Sequence, residues 1–430
     1  MTWAGAAGRA DARYPAPDPL ALGLGRALQW ASRSPFFAGK LRAAGITEGE
    51  PVSWEQWRAI PPTTKDELRA LRSFEDEVVI VERSEVIEFW RSGGVTGTPL
   101  YYPRTRADLD HQLEDFARAL RIAGVTHQDT VVCSLPLGIH PAGQLLARAA
   151  EHIGAAVIWA GAGSQLPSAA QIELLHRFEA TVWLGMASFG LHLAHVAEAA
   201  GMPLAESRVR LLVSTAEPLS ASKRQLIGRL WGGAQVRDTF GMTEVSMLGA
   251  ECGRRPGLHM WTETSFCEVL DPVTLQPTQP GEAGLLCVTA KATGSATPFI
   301  RWISGDIVRM QNGCECGHPH YPRLIHSGRT AGFLKVKGVN INHAECEERL
   351  YAIETLRDFR ISITAADALL AELETVPGAG ADTAAAVGAM FELHFGLRPD
   401  VTVLERGTIA HALADQVKAQ RFVDLRPGGG

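Results

Sequence analysis

Apolar residues recur along the chain in two patterns, a helical spacing of about 3.6 residues and short continuous runs. Helical spacing covers residues 105–123, 168–178 and 188–200, whereas runs rich in β-branched residues cover 130–137 and 181–186. Short strands that alternate with helices of ten or more residues are typical of parallel sheets covered on both faces. The pattern therefore predicts repeated strand–helix–strand units up to about residue 240.

A different texture begins at about residue 265. Proline and glycine interrupt short apolar runs such as residues 284–289 and 298–303, which indicates antiparallel strands. Residues 328–330 are interpreted as a linker into a small α+β domain. The predicted fold is α/β. A large N-terminal domain (1–328) combines a parallel α/β sheet with an antiparallel β region, and a small, mobile α+β C-terminal domain (329–430) follows.

The region before residue 90 carries two helix-start signals. Ser53 with Gln56, and Thr64 with Glu67, each have the spacing of a capping box, in which two side chains satisfy backbone groups reciprocally. We interpret this helical region as a scaffold.

Composition narrows the class of protein. The 430 residues are 46% hydrophobic and 20% charged, with a formal net charge of -6. This charge balance lacks the excess of positive residues that is typical of proteins that bind nucleic acid or an anionic membrane surface. No apolar run is long enough to span a bilayer, and the N-terminus lacks an apolar export signal. Seven cysteines, an odd number in a long chain, favour a reducing compartment, so we expect a cytoplasmic protein.

Residues 92–99 form a Gly-rich stretch, Ser-Gly-Gly-Val-Thr-Gly-Thr-Pro, between two strand-like runs. Backbone amides and hydroxyls in such a loop can cradle a phosphate. The Walker spacing is absent because no lysine follows Gly97. Taken alone, the stretch is better explained as an ordinary hairpin turn.

Further motifs follow this loop in a fixed order: Ala-Glu-Pro at 216–218, Phe-Gly-Met-Thr-Glu at 240–244, Ser-Gly-Asp at 304–306, Gly-Arg at 328–329, and Val-Lys-Ala-Gln-Arg-Phe-Val-Asp at 417–424. The series resembles the adenylate-forming superfamily of acyl-CoA synthetases, firefly luciferase and adenylation domains. It is most similar to the phenylacetate-CoA ligase branch, over nearly the whole chain.

This resemblance implies a two-step reaction. A carboxylate attacks the α-phosphorus of ATP, which gives an acyl-adenylate and pyrophosphate, and a thiol then displaces AMP. Positioning and charge neutralisation dominate catalysis of such transfers. By resemblance, the catalytic residues are Lys418, Thr243 and Glu244, with Glu244 also the ligand of Mg²⁺. The implied ATP- and AMP-binding residues are Ser92, Gly93, Gly94, Thr96, Gly97, Ala216, Glu217, Pro218, Asp238, Phe240, Gly241, Met242, Asp306 and Arg329.

The sequence departs from the family pattern at several positions. Gly93 replaces the second loop serine and Thr98 the usual lysine, which weakens phosphate neutralisation. Ala331-Gly332 replaces the aspartate pair that serves as the hinge, so the change between the two half-reactions is expected to run differently. Val417 replaces the glycine before the catalytic lysine.

Four further side chains suggest a structural zinc. Six residues separate Cys252 from His259, and Cys314 and Cys316 lie in a downstream Gly-rich turn. Thiolates and imidazole are the ligands of closed tetrahedral zinc sites. Some phenylacetate-CoA-ligase-like enzymes have similar C-x6-H and C-x-C ligands. The alternatives are scattered thiols, or His318 or His320 as the imidazole; the other four cysteines are interpreted as core thiols.

The resemblance also implies walls for an acyl pocket. They are Leu137, His140, Pro141, Met186, Phe189, Thr215 and Met247, with Phe240. An apolar pocket with few polar groups suits an aryl acid. The favoured function is an aryl-CoA ligase that uses ATP, Mg²⁺ and coenzyme A. The alternatives are an enzyme that loads an aryl acid onto a carrier-protein phosphopantetheine or another nucleophile, and a non-catalytic nucleotide-binding relative. A homodimer is possible, and neither nucleic acid nor membrane is expected as a partner.

Overall fold

The computed structural model describes residues 22–92, 99–330, 332–412 and 420–426. Several residues singled out in the sequence lie outside these ranges, and their roles stay predictions: Gly93, Gly94, Thr96, Gly97, Thr98, Ala331, Val417 and Lys418.

The described residues form α-helices and β-strands with short 3₁₀ turns at Arg83–Glu85 and Leu204–Glu206. The helices are α1 (Leu24–Ala31), α2 (Pro35–Ala43), α3 (Trp54–Ala59), α4 (Lys65–Ala70), α5 (Phe74–Glu77), α6 (Arg106–Ala123), α7 (Pro141–Ile153), α8 (Ser168–Arg177), α9 (Ala187–Ala199), α10 (Ala221–Leu230), α11 (His343–Tyr351), α12 (Gly380–Phe395) and α13 (Thr408–Ala412).

The strands are short in the first half of the chain and longer in the second. They are β1 (Glu88–Arg91), β2 (Tyr101–Arg104), β3 (Thr130–Cys133), β4 (Ala156–Trp159), β5 (Val182–Gly185), β6 (Leu211–Ser214), β7 (Gln235–Met242), β8 (Ser246–Ala250), β9 (Leu258–Met260), β10 (Ser265–Leu270), β11 (Gly284–Ala290), β12 (Trp302–Gln311), β13 (Arg323–Arg329), β14 (Phe333–Val336), β15 (Val339–Asn342), β16 (Leu356–Ile363), β17 (Leu369–Thr375), β18 (Asp400–Val403) and β19 (Phe422–Asp424).

The chain divides into two compact units, each built from separate segments. Unit 1 comprises residues 1–127, 137–154 and 237–329, and unit 2 comprises residues 128–136, 155–236 and 330–430. The domain boundary at residues 328/329 that the sequence suggests stays a prediction.

Unit 1 is built on antiparallel strands. Its strands pair in the order β10-β11-β12-β13-β9-β8-β7, and β1 pairs with β2 as a separate hairpin. The N-terminal helices share a core with the ends of this sheet, where Trp57 packs edge-on against Phe266 and Tyr102 against Phe299. Arg301 fixes the contact, because its buried guanidinium pairs with Glu268 and donates to the carbonyl of Ile60.

Unit 2 contains two sheets. Strands β4-β3-β5-β6 are parallel, as the alternating strand–helix pattern predicts, and α8, α9 and α10 accompany them. The second sheet has the order β18-β17-β16-β19, and β14 and β15 form a hairpin. One hydrophobic core runs through the unit, from Trp183 and Trp231 to Phe359 and Phe391. Residues 330–412 and 420–426 therefore share their core with residues 155–236.

The α/β fold class with an added antiparallel region is confirmed, and several element bounds differ from the predicted ones. Residues 304–306 lie inside β12 rather than at its end, because the strand continues past a bulge after Ile307. Residues 328 and 329 belong to β13 rather than to a linker. Residues 380–384 of an Ala/Gly-rich stretch form the start of α12, since alanine is a strong helix former.

Candidate active site

The Phe-Gly-Met-Thr-Glu motif forms the tip of a β-hairpin in unit 1. Strand β7 continues through Met242 and pairs antiparallel with β8, so Thr243 and Glu244 lie in the connecting turn. Gly241 is required there, because a Cβ at this position would lie 2.8 Å from the carbonyl oxygen of Ser246. The hairpin thus fixes where the two predicted catalytic side chains project.

Glu244 is buried and held by groups from two other elements. The hydroxyl of Tyr102 donates to its Oε1 at 3.1 Å, and Lys65 Nζ lies 3.9 Å from the same oxygen. Lys65 also donates to Ser92 Oγ at 2.6 Å. Lys65 therefore connects Ser92, the first residue of the predicted phosphate loop, with the predicted Mg²⁺ ligand.

The position of Lys65 follows from its local sequence. It is the first residue of α4, and the capping box between Thr64 and Glu67 that the sequence predicts is formed. Burial lowers the pKa of Lys65, and the negative charge of Glu244 opposes that shift. An ammonium group that is only partly hydrated interacts more strongly with an incoming anion.

Arg104 fixes the backbone beside the predicted catalytic pair. Its guanidinium is buried, donates to the carbonyl oxygen of Thr243, and donates to Thr297 Oγ1 at 3.0 Å. Burial lowers the pKa of Arg104, and the carboxylate of Asp108 opposes that shift. The turn is therefore held from inside the protein as well as by strand pairing.

Asp306, the predicted ribose ligand, lies on β12 beside β13. His326 Nε2 is 2.9 Å from its Oδ1, and Arg329 Nε is 3.5 Å from the same oxygen. Burial alone would raise the pKa of this carboxyl, but the hydrogen bond from His326 and the charge of Arg329 outweigh burial and lower the pKa. Gly305 precedes it with φ +81°, a left-handed conformation that glycine adopts without strain. The ring of Phe240 lies 5.8 Å from that of His326.

Unit 2 contains the Ala-Glu-Pro motif, directly after β6. Ala216 has φ +70°, which is uncommon for a residue with a side chain and is found disproportionately at functional sites. The carboxylate of Glu217 is fully engaged inside the unit. It accepts from the backbone amide and hydroxyl of Ser188 and from Lys223 Nζ. A contact from Glu217 to a nucleotide would therefore come from its backbone.

The predicted acyl-pocket residues are distributed over both units. Unit 1 holds Leu137, His140, Pro141 and Met247, and unit 2 holds Met186, Phe189 and Thr215. His140 is the N-cap and Pro141 the first residue of α7. His140 Nδ1 lies 3.0 Å from the carbonyl oxygen of Arg91. That contact occupies one ring nitrogen with the backbone.

Phe189 and Asp238 have local partners of their own. Phe189 stacks on His192 at 5.7 Å and lies beside Gly163. The amide of Asp238 donates to Glu251 Oε2 at 2.8 Å, which ties β7 to the end of β8. The roles of these residues toward a ligand stay predictions.

The four predicted zinc ligands lie together in unit 1. The ligand atoms of Cys252, His259, Cys314 and Cys316 are all within 4.8 Å of one another. The Sγ atoms of Cys252 and Cys314 are 3.7 Å apart, and His259 Nε2 is 3.2 Å and 3.4 Å from the Sγ atoms of Cys252 and Cys316. All seven cysteines are free thiols, and the other four, Cys133, Cys267, Cys287 and Cys346, are buried as predicted.

Sequence reasoning missed Lys65, Tyr102, Arg104 and His326. A signal existed for Lys65, because it directly follows the N-cap Thr64; the capping box was interpreted only as scaffold. For Tyr102 and Arg104 the strand pattern showed a short apolar run but not which neighbours it would contact. His326 is half-buried in β13 between Ile325 and Ser327, and only the register of β12 against β13 brings it to Asp306.

Comparison with known proteins identifies relatives of this chain. Residues 92–295 match the AMP-binding enzyme family. The phenylacetate-coenzyme A ligase of Thermus thermophilus is 30% identical over 327 residues, and that of Escherichia coli 29% over 326 residues; each alignment covers 75% of this chain and 72% of the relative. A crystal structure of 2-hydroxyisobutyryl-CoA ligase in the postadenylation state has a TM-score of 0.83 at 26% identity, with 97% of this chain and 94% of the other covered. Among the described residues, no helix has both the length and the apolar character needed to cross a membrane.

Proposed function

Because the chain belongs to the AMP-binding, adenylate-forming enzymes and resembles their phenylacetate-CoA ligase branch, we propose that it is an aryl-CoA ligase. A carboxylate oxygen of an aryl acid attacks the α-phosphorus of ATP, and the bond to pyrophosphate breaks. The thiol of coenzyme A then attacks the acyl carbon, loses its proton and releases AMP.

One observation carries this proposal, the link from Ser92 through Lys65 to Glu244 at the tip of the β7–β8 hairpin. It unites a hydroxyl, a cation and a carboxylate within a few ångströms in a buried setting. Lys65 would neutralise phosphate oxygens, a task for which the predicted loop offers no lysine since residue 98 is threonine. Glu244 would hold Mg²⁺, a hard cation that prefers carboxylate oxygen and supplies charge neutralisation when bound.

Other residues of the chain would orient the nucleotide. Asp306 would accept the ribose hydroxyls, since even one oxygen of an ionised carboxylate has two lone pairs and can accept two hydrogen bonds. Arg104 holds the backbone of Thr243, which by resemblance contacts the α-phosphate. Lys418 keeps its predicted role, contact with the attacking carboxylate and the α-phosphate during adenylation.

Two considerations support an aryl acid. The predicted pocket residues are mostly apolar, which suits an aryl group. Three relatives of similar sequence identity to this chain carry the name phenylacetate-coenzyme A ligase. The solved relative is named for 2-hydroxyisobutyrate, a small hydroxy acid, which is therefore the competing substrate class.

The test is acid-dependent release of pyrophosphate from ATP and Mg²⁺ with a panel of aryl, 2-hydroxy and short aliphatic acids, with and without coenzyme A. The proposal expects release with aryl acids and an aryl-CoA product. Release with only hydroxy or aliphatic acids would contradict the aryl class, and silence with every acid would favour a non-catalytic relative.

A carrier-protein loading enzyme is the second candidate, favoured by the Ala331-Gly332 replacement of the hinge pair. In the same assay it expects adenylate formation without turnover of coenzyme A. Phosphopantetheinyl carrier protein would then accept the acyl group. The cytoplasmic location and the possible homodimer stay predictions.

We also propose that Cys252, His259, Cys314 and Cys316 bind a structural zinc ion. Two thiolates held tetrahedrally at about 2.3 Å from one zinc would lie roughly 3.8 Å apart. The Sγ atoms of Cys252 and Cys314 are 3.7 Å apart, which fits that geometry. The ion would join the loops that follow β8 and β12.

Metal analysis of the purified protein tests the zinc site. We expect one equivalent of zinc, its loss in Cys314→Ser, and a lower melting temperature after removal by a chelator. Cys267→Ser, a buried thiol outside the cluster, should retain the metal. Full zinc content in Cys314→Ser would contradict the assignment.

A further inference from the structure

His326 contacts two predicted nucleotide-binding residues of unit 1 at once. Its Nε2 lies 2.9 Å from Asp306 Oδ1, and its ring faces that of Phe240 at 5.8 Å between centroids. The side chains of His326 and Asp306 are only 21% and 10% exposed. Neither the chain's motifs nor the expected catalytic set gives His326 a role.

We propose that His326 is a positioning residue for the nucleotide, which orients the Asp306 carboxylate toward the ribose. This inference rests on the proposed assignment of Asp306 to the ribose hydroxyls. In this role His326 contacts Asp306, the proposed ribose-binding residue, and does not contact the nucleotide itself.

The hydrogen-bond chemistry leads to this role. A carboxylate has no hydrogen to donate when ionised, so His326 Nε2 must be the donor. The terminal torsion of aspartate is broad and roughly two-fold, so a free carboxylate would exchange its oxygens. His326 and Arg329 both contact Oδ1, which assigns Oδ2 to the ligand.

Strand register explains why this residue is available. His326 pairs with Val308, while Arg329 pairs with Asp306 itself, and a register shift lies between them at Ile307/Val308. The shift brings His326 alongside Asp306 although it is not its direct partner. Phe240 limits the other side of the imidazole, so the ring has restricted freedom to turn away.

The competing explanation is that His326 only stabilises the pairing of β12 with β13. A structural role changes the melting temperature and affects all nucleotides alike. A positioning role changes how strongly the protein distinguishes a ribose from a deoxyribose. Loss of the His326 donor and loss of a ribose hydroxyl both act on the Asp306 carboxylate, so their effects on the binding free energy are not additive.

The experiment measures dissociation constants of AMP, 2′-deoxy-AMP and 3′-deoxy-AMP by calorimetry, in the absence of any acid. The variants are His326→Leu, which removes the donor, and His326→Gln, whose amide nitrogen can replace Nε2–H. His152→Leu is the matched control, since His152 also lies 2.7 Å from a carboxylate, that of Glu114, but on the exposed surface of α7.

We expect His326→Leu to bind AMP about tenfold more weakly and to lose at least half of the wild-type preference for AMP over the deoxy nucleotides. His326→Gln should stay within about threefold of wild type, and His152→Leu should match it. An unchanged preference in His326→Leu, with or without a lower melting temperature, would overturn the proposal.

The dissociation constants of AMP and its deoxy forms can be measured whether or not the protein is an aryl-CoA ligase. Nucleotide binding does not require the correct acid, so failure of every acid in the pyrophosphate assay leaves the test intact. Conversely, an active aryl-CoA ligase whose His326→Leu variant keeps its ribose preference would refute only the role of His326.

Discussion

Single side chains determine the electrostatics of the candidate site. Lys65 is partly dehydrated beside Glu244, and the opposing charges keep each other inside the protein. Asp306 combines burial with two basic neighbours, so it stays ionised and able to accept hydrogen bonds. Charges fixed in this way need little reorganisation when a charged ligand arrives, which is the main source of catalysis in phosphoryl chemistry.

Replacing Lys65 by methionine tests its role in phosphate binding. We expect the KM for ATP to rise at least tenfold, with a lower kcat, in the pyrophosphate-release assay, because Glu244 would lose its counter-charge and the phosphates a cation. Lys291→Met is the control, since Lys291 is also half-buried but donates to the carbonyl of Thr262. Equal kinetics in the two variants would remove Lys65 from the site.

A buried acid on α6 predicts a pH-dependent stability. Burial raises the pKa of Asp115 to about 6, against opposing charges on His111 and Arg118. The protonated form is favoured by folding, so its stabilising contribution is complete below the unfolded pKa and is lost as pH rises through about 6.

Asp115→Asn should therefore gain stability relative to wild type between pH 4 and 7, by about 2 kcal/mol. Urea unfolding across this range measures the difference. Asp110→Asn, exposed on the same helix, should show no such trend. A constant difference for Asp115→Asn would show that the carboxyl is ionised throughout.

Among the elements, the β7–β8 hairpin has little room for change at Gly241. Two of the three predicted catalytic residues, Thr243 and Glu244, lie in its turn, and Gly241 has backbone atoms of β8 on the side where a Cβ would project. The positions of Thr243 and Glu244 and the stability of the protein therefore both depend on this hairpin.

Gly241→Ala should destabilise the protein by about 1–3 kcal/mol and lower the adenylation rate, because the hairpin must open to admit the methyl group. Gly39→Ala within α2, where no atom lies within 4 Å of the new Cβ, should instead stabilise by about 0.5–1 kcal/mol. Thermal unfolding of both variants gives the comparison. A neutral Gly241→Ala would mean that the hairpin relaxes freely.

The elements also show where prediction from sequence works. Residues 106–123 form α6 with Thr105 as its cap, because periodicity and capping signals agree there. The ordered motifs predicted Glu244 and Asp306, whose roles stay predictions, and the cysteine–histidine spacing predicted the four side chains that the structure brings together. Lys65 and His326 were missed because their roles depend on strand register and on contacts between distant segments, which local patterns do not encode.

On the scale of the whole molecule, unit 2 is bound together by a buried charge cluster. Lys223 Nζ, on α10, lies 3.1 Å from Oε1 of Glu217 and 3.2 Å from Oε1 of Glu347, which belongs to α11. Burial alone would lower the pKa of Lys223, but the two carboxylates outweigh burial and raise it. The cluster connects residues before 236 with residues after 330 in one core.

Lys223→Met should destabilise the protein by about 3–5 kcal/mol, because two buried carboxylates would lose the cation that contacts both of them. Chemical denaturation at neutral pH measures this loss. Arg349→Met removes an exposed partner of Glu345 on α11 and should cost less than about 1 kcal/mol. A loss of similar size in both variants would contradict the importance of the buried cluster.

The interleaved segments of unit 1 have a consequence for synthesis on the ribosome. Trp57 and Phe37 belong to a core completed by Phe266, Phe299 and Trp302, more than two hundred positions later in the chain. The apolar faces of the amino-terminal helices therefore stay exposed to solvent until β12 has left the exit tunnel. At about 5–20 residues per second this delay lasts roughly ten seconds or more, long enough for nascent-chain chaperones to bind.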